Sequence, residues 1–125
     1  MVRDEAYYNS ITEQIIGCAY RVANSLGAGF LEKVYQNAMY YEIGQCDLEV
    51  KQQHPINVVY RGIIVGEYFA DLFVQEEVVV ELKALKSLDD SHFAQCMNYL
   101  KGTGKKVCLL INFGSPKIEI RRIIN

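Results

Sequence analysis

Apolar residues recur at spacings of three and four through the first part of the chain. Tyr8, Ile11, Ile15, Ala19, Val22 and Leu26 share one side of a helix over residues 4–26, and Asp4 can cap its start. Gly27-Ala28-Gly29 ends it, because glycine tolerates the left-handed conformation that closes helices. A second helix follows from about Phe30 to about Gly44, with Leu31, Val34, Ala38 and Tyr41 as its expected apolar face. From Leu48 the period changes to two. Ile56, Val58 and Tyr60 alternate along a first strand, Arg61-Gly62 turns the chain, and Ile63 to Val74 forms the next strand. Gly66 within it marks a bulge or a close approach. Gln75-Glu76-Glu77 is a polar tip before a third strand, Val78 to Lys83, whose almost unbroken apolar character predicts a central place covered on both faces.

A third helix begins near Asp89 or Asp90, either of which can act as N-cap, with Phe93, Cys96, Met97 and Leu100 as its core stripe. His92, Gln95 and Tyr99 fall on another face of it. Gly102 and Gly104 stop the helix. Residues Lys106 to Asn112 then form a buried strand and Lys117 to Ile123 a last, alternating one. The expected order is α-α-β-β-β-α-β-β, an α/β (α+β) chain with a mixed sheet of about five strands flanked by helices. A helix crossing from the third strand to the next suggests a parallel or mixed sheet between them. No linker or repeat interrupts the pattern, so residues 1–125 are expected to be a single domain.

Charge interrupts this apolar pattern at three telling places. Asp71 lies in the second strand, and Glu81 and Lys83 in the third. Buried charge is costly unless it is paired or bound to a metal. Glu81 and Lys83, two apart, share a strand face. A turn centred on Glu76 sets Asp71 directly opposite Glu81, with Cβ atoms roughly 4.5–5.5 Å apart. Carboxylates that close repel unless a cation or proton lies between them. Two readings follow from the residues alone: a divalent-metal site with a lysine beside it, or a buried ion pair of Lys83 with Glu81 or Asp71.

Composition narrows the setting. Half of the 125 residues are hydrophobic and 22% charged, which excludes a disordered chain. No apolar run is long enough to span a bilayer. The polar start Met1-Val2-Arg3-Asp4-Glu5 lacks the form of a signal peptide, so a cytoplasmic location is the expectation. Cys18, Cys46, Cys96 and Cys108 form no C-x-x-C pair and are expected as reduced core residues. The net charge of −2 exerts no overall pull toward nucleic acid. Residues 101–125 nevertheless carry six cations against Glu119, a balance of +5 that suits either phosphate contact or a solvated face.

Asp71 followed by Glu81-Leu82-Lys83, on the second and third strands, resembles the PD-(D/E)xK nuclease superfamily, with Ala70 in the place of its name-giving proline. Gly29-Phe30-Leu31-Glu32-Lys33-Val34-Tyr35 matches the motif of the GxxExxY protein family, and Leu110 to Gly114 is similar to the same family. Gln95-Cys96-Met97-Asn98-Tyr99 resembles the Q-x-x-x-Y motif of RecB-like nucleases. The resemblance covers nearly the whole chain and implies a restriction-endonuclease-like core. It also implies a nuclease that hydrolyses nucleic-acid phosphodiesters, DNA or RNA, with Mg2+ or Mn2+.

Under that resemblance Asp71 and Glu81 are metal ligands, joined by the Leu82 backbone carbonyl and by Glu32, directly or through water. Lys83 then orients the attacking water or stabilises transition-state charge. Gln95 and Tyr99 touch substrate or support Lys83, and Tyr35 braces Glu32. Simpler roles stand beside these: a first-turn glutamate complementing the helix dipole for Glu32, and an amphipathic flank for Gln95 and Tyr99. His92 reads as a surface residue near a helix start, and His54 has no assigned role. Nine tyrosines offer stacking surfaces for single-stranded bases, although most fall on core stripes. The competing function is a non-catalytic nucleic-acid- or protein-binding, regulatory module on the same fold. A third is a nuclease that takes a small phosphodiester or works only as a homo-oligomer.

Overall fold

The computed structural model describes residues 3–125; Met1 and Val2, read above as part of a polar start, lie outside the described residues. The elements are α1 (Glu5–Leu26), α2 (Glu32–Gly44), β1 (Val50–Tyr60), β2 (Ile63–Val74), β3 (Val78–Lys83), α3 (Asp90–Thr103), β4 (Val107–Asn112) and β5 (Glu119–Ile124). The helix starts follow from their caps. Asp4 accepts from Tyr7 N at 2.9 Å. Asp89 caps α3 by accepting from Ser91 N, and His92 Nδ1 accepts from Asp89 N in return. His92 is therefore a capping residue of α3. Gly104, left-handed at φ 75°, closes the helix through its N–H to Leu100 O.

The five strands lie in the order β1-β2-β3-β4-β5. All neighbours are antiparallel except β3 and β4, which α3 links as a parallel pair. The β2–β3 register runs Val74↔Val78, Phe73↔Val79, Leu72↔Val80, the pairing that a turn at Glu76 demands. β3 is the middle strand, and Val78 to Leu82 are all buried. A bulge separates Val58↔Gly66 from Val59↔Ile64, leaving Val65 unpaired beside Gly66.

Helices cover both sheet faces. On one, Ile11, Ile15, Val22, Tyr35, Met39 and Ile43 of α1 and α2 pack on Leu72, Val80, Leu82 and Ile111. On the other, Cys96 and Leu100 of α3 pack on Ala70, Phe73, Val79 and Leu110. The expected apolar face of α2 needs correction. Of that face Ala38 packs against the core, but Leu31, Val34 and Tyr41 are exposed, and the buried stripe is Tyr35, Gln36, Met39 and Ile43. α2 has apolar residues around most of its circumference, so spacing alone does not select the side that meets the sheet. The β1–β2 hairpin also runs past its helical cover, and Val59, Tyr60, Ile63, Ile64 and Val65 at its tip are exposed.

All four cysteines are free. Cys18 and Cys46 nonetheless approach to 3.6 Å between sulfurs, a spatial pair that their separation in sequence hides.

Candidate active site

The β2–β3 hairpin brings its two carboxylates to the point where backbone pairing stops. Leu72↔Val80 is the last pair of that ladder, so Asp71 and Glu81 occupy the next opposed position. There the Asp71 side chain replaces the backbone partner: its Oδ2 accepts from Leu82 N at 2.8 Å. Its Oδ1 accepts from Gln53 Nε2 at 3.2 Å. A carboxylate has about four acceptor positions, so both oxygens keep capacity for a further partner.

Glu81 is the more constrained of the two. It is only 8% exposed, and its Oε1 is buried with no hydrogen-bond partner. Burial first, then the neighbouring Asp71 carboxylate, push its carboxyl up to about 9. A cation between the carboxylates would relieve both penalties at once. The hard oxygens suit Mg2+ or Mn2+, and the orphaned Oε1 gives the ion an otherwise unused donor. The donor set therefore fits such an ion. Among the described residues no three acidic, histidine or cysteine side chains already stand together as an ion-binding group.

The remaining expected residues gather from both helical layers. Glu32, in the first turn of α2, senses Asp71 and Lys83 electrostatically. Its carboxyl is raised, by partial burial first and by Asp71 second, with Lys83 opposing. Lys83 ends β3, half-buried, and its charge also reaches Glu81 and Cys96. Ion pairs of the expected buried type do not join Lys83 to Asp71 or Glu81 among the described residues. Asp71 meets Leu82 N, Gln53 and the Glu81 carboxyl instead. The Leu82 side chain is in the core and its N–H is committed to Asp71.

Tyr35 is fully buried and stacks on Phe113 at 4.6 Å. Its hydroxyl donates to Gly27 O at 2.6 Å and accepts from Phe30 N at 3.2 Å. It thereby fixes the loop that delivers Glu32. On α3, Gln95 Nε2 donates to Tyr99 OH at 2.6 Å. The Tyr99 ring stacks on Tyr68 at 3.7 Å. Both tyrosines are raised, by burial first and next by Glu81, which places the stack beside the carboxylates. His54 is apart from this group and stacks on Phe73.

Three site residues escape a reading of the sequence. Tyr68, three residues before Asp71, would point to the opposite face of a regular strand, so its place beside Glu81 depends on the change of sides in β2, which the sequence does not mark. Gln36 and Gln53 carry only a weak signal, a polar residue inside an apolar stripe or strand. Both join Asp71: Gln53 Nε2 also donates to Gln36 Oε1 at 2.9 Å.

The segment after Lys83 is held by Asn112, which is fully buried. Its Oδ1 accepts from Leu85 N and Gly114 N, and its Nδ2 donates to Leu85 O and Glu119 Oε1. The basic segment does not form one surface. Lys105, Lys106 and Arg122 line a cavity of about 620 Å³ with Arg3, Glu5 and Glu77, where β3 and β4 begin, at the opposite end from the carboxylates. Lys117 and Arg121 lie in a separate depression with Lys86 and Glu119.

A sequence profile of the PD-(D/E)XK nuclease superfamily matches residues 9–123. The chain belongs to the PD-(D/E)XK nuclease superfamily. No curated protein and no solved structure matches it. The match spans every element from α1 to β5, and the mixed five-stranded sheet with its α-α-β-β-β-α-β-β order is the restriction-endonuclease-like core. Membership makes a nuclease-like domain of this chain. Among the described residues no helix is long and apolar enough to cross a membrane.

Proposed function

We propose that this protein is a divalent-metal-dependent nuclease that hydrolyses nucleic-acid phosphodiesters at Asp71, Glu81 and Lys83. The observation that carries the reading is Glu81: a carboxyl buried beside a second carboxylate, with one oxygen left without a protein partner. Structural carboxylates are rarely kept that way, since burial without a partner costs free energy that an apolar residue would avoid. Within the superfamily, the Gly29–Tyr35 and Gln95–Tyr99 motifs support a place near the GxxExxY family and the RecB-like nucleases.

In this reading Asp71, Glu81 and the Leu82 carbonyl hold Mg2+ or Mn2+, with Glu32 joining directly or through water. The ion would polarise the phosphate and lower the pKa of an attacking water. Lys83, at the open end of β3, orients that water or balances the negative charge that grows on the phosphate oxygens. Gln95 and Tyr99 line the α3 side, where the Tyr68–Tyr99 stack limits water around Glu81. Leu82 N and Gln53 hold Asp71 in one direction.

The test is cleavage of single- and double-stranded DNA and RNA with Mg2+, Mn2+ or EDTA. The wild type should cut at least one substrate with metal and none in EDTA. Asp71→Ala and Lys83→Ala should each lower the rate by 100-fold or more, about the loss of one main electrostatic contact. If nothing is cut, or both variants cut as well as wild type, the site is not a nuclease centre. A non-catalytic binding module on this fold would then be the better account.

A further inference from the structure

Among the described residues five non-glycine residues have left-handed backbones, and four of them sit in turns: Asp47, Arg61, Gln75 and Glu76. The fifth, Gln53 at φ 50°, lies inside β1. Its flanking pairs are Gln52↔Leu72 and His54↔Ala70, so it stands opposite Asp71, and that one position is missing from the ladder. The consequence is visible in the side chains. In a regular strand, neighbours point to opposite faces. Here both Gln52 and Gln53 reach α2, through Asn37 and Gln36. Beyond them the alternation is inverted: Val50 packs with the α1–α2 layer, whereas Ile56 packs with α3. β2 changes sides at the same level, with Leu72 and Val74 in the first layer and Ala70 in the second.

A left-handed glutamine in a strand costs on the order of 1 kcal/mol or more. A second cost accompanies it. A carboxylate only accepts, so Gln53 must present its NH2 group to Asp71 Oδ1, and the same nitrogen serves Gln36 Oε1. Gln36 is thereby obliged to turn its own Nε2 away, and that buried nitrogen has no partner. The backbone reversal also lets Val50 and Ile56 enter opposite layers, but the unpartnered Gln36 Nε2 serves no packing, and the two costs meet where Gln53 touches Asp71.

We propose that Gln53 is a positioning residue for Asp71. The strained turn in β1 exists to bring its amide, steadied by Gln36, onto Asp71 Oδ1, so that the carboxylate is clamped between this amide and Leu82 N. The functional weight of the inference rests on Asp71 as a metal-binding group, as read above; the clamp itself does not. Groups that orient a metal-binding carboxylate typically change metal affinity 10–100-fold when removed.

Two variants separate backbone from side chain. Gln53→Gly keeps the left-handed backbone without strain and deletes the amide; Gln53→Met deletes the amide and keeps the strain. Both should weaken Mn2+ binding at least tenfold in calorimetric titration, while Gln53→Gly melts at or above the temperature of Gln53→Met in EDTA. Wild-type Mn2+ affinity in Gln53→Gly overturns the inference. If the wild type itself takes up no Mn2+, the metal reading fails, and the clamp is then decided by a metal-free double-mutant cycle. Melting temperatures in EDTA of Gln53→Met, Asp71→Ala and the double variant should depart from additivity by about 4 °C. Additivity within about 1 °C overturns the clamp.

Discussion

Glu81 concentrates the electrostatic tension of the molecule in one side chain. Its carboxyl, raised to about 9 by burial and by Asp71, compares with an ordinary value of 4.5. Between those values the folded protein holds a proton that the unfolded chain releases. The sign is therefore that of a raised carboxyl: the contribution to stability is full below about 4.5 and is lost as pH rises toward 9. In EDTA the melting temperature should fall from pH 5 to pH 9 by thermal denaturation, and Glu81→Gln should flatten that slope. Parallel slopes for the two proteins would contradict the assignment. Metal must displace the same proton, so Mn2+ affinity should rise with pH, by up to about tenfold per unit below 9. Glu81 and its partner Asp71 were legible in the sequence because strand arithmetic needs only the turn position. Gln53 was not, because a left-handed residue within a strand is imposed by contacts with α2 and β2 that no local pattern records.

Among the elements, α2 and the β4–β5 connection do the most to shape the site. α2 carries Glu32 on the turn that Tyr35 anchors. Tyr35→Phe would leave Gly27 O and Phe30 N without their buried partner, at a cost of about 1–3 kcal/mol in urea denaturation. If stability is unchanged, the loop is held by other means. After β4, Gly114 lies against the chain that leaves Lys83: a Cβ there would come within 2.3 Å of Leu85 N and O. Gly114→Ala must displace backbone that Asn112 grips, so it should destabilise by about 1–3 kcal/mol and weaken any activity that depends on Lys83. Wild-type stability would show that this approach is not rigid. Helix α1 was readable to within a residue, since its single apolar stripe and Asp4 cap agree. α2 was misjudged in its face, since Leu31, Val34 and Tyr41 recur as regularly as Tyr35, Met39 and Ile43. The decision between them belongs to the sheet surface and not to the helix.

Across the whole molecule, the antiparallel hairpin β2–β3 and the parallel step to β4 place a carboxylate pair and a lysine at the end of the central strand. One helical layer approaches from either side: Glu32 from α2, Gln95 and Tyr99 from α3. Element order could be read from the chain because the period changes at each boundary, and the crossing helix narrowed β3–β4 to a parallel or mixed arrangement, which the structure resolves as parallel. The cysteine approach, the exposed hairpin tip and the split of the basic segment into separate surfaces could not, since each depends on which distant elements come together. In the proposed reading Asp71 and Glu81 together hold one divalent cation. Calorimetric titration of Mn2+ into metal-free protein at pH 8, in two buffers of different ionisation enthalpy, tests it most directly. Saturable binding near one ion per chain, with proton release, abolished by Asp71→Ala and by Glu81→Gln, is the expected result. Absence of saturable binding, or binding that survives both substitutions, would contradict it.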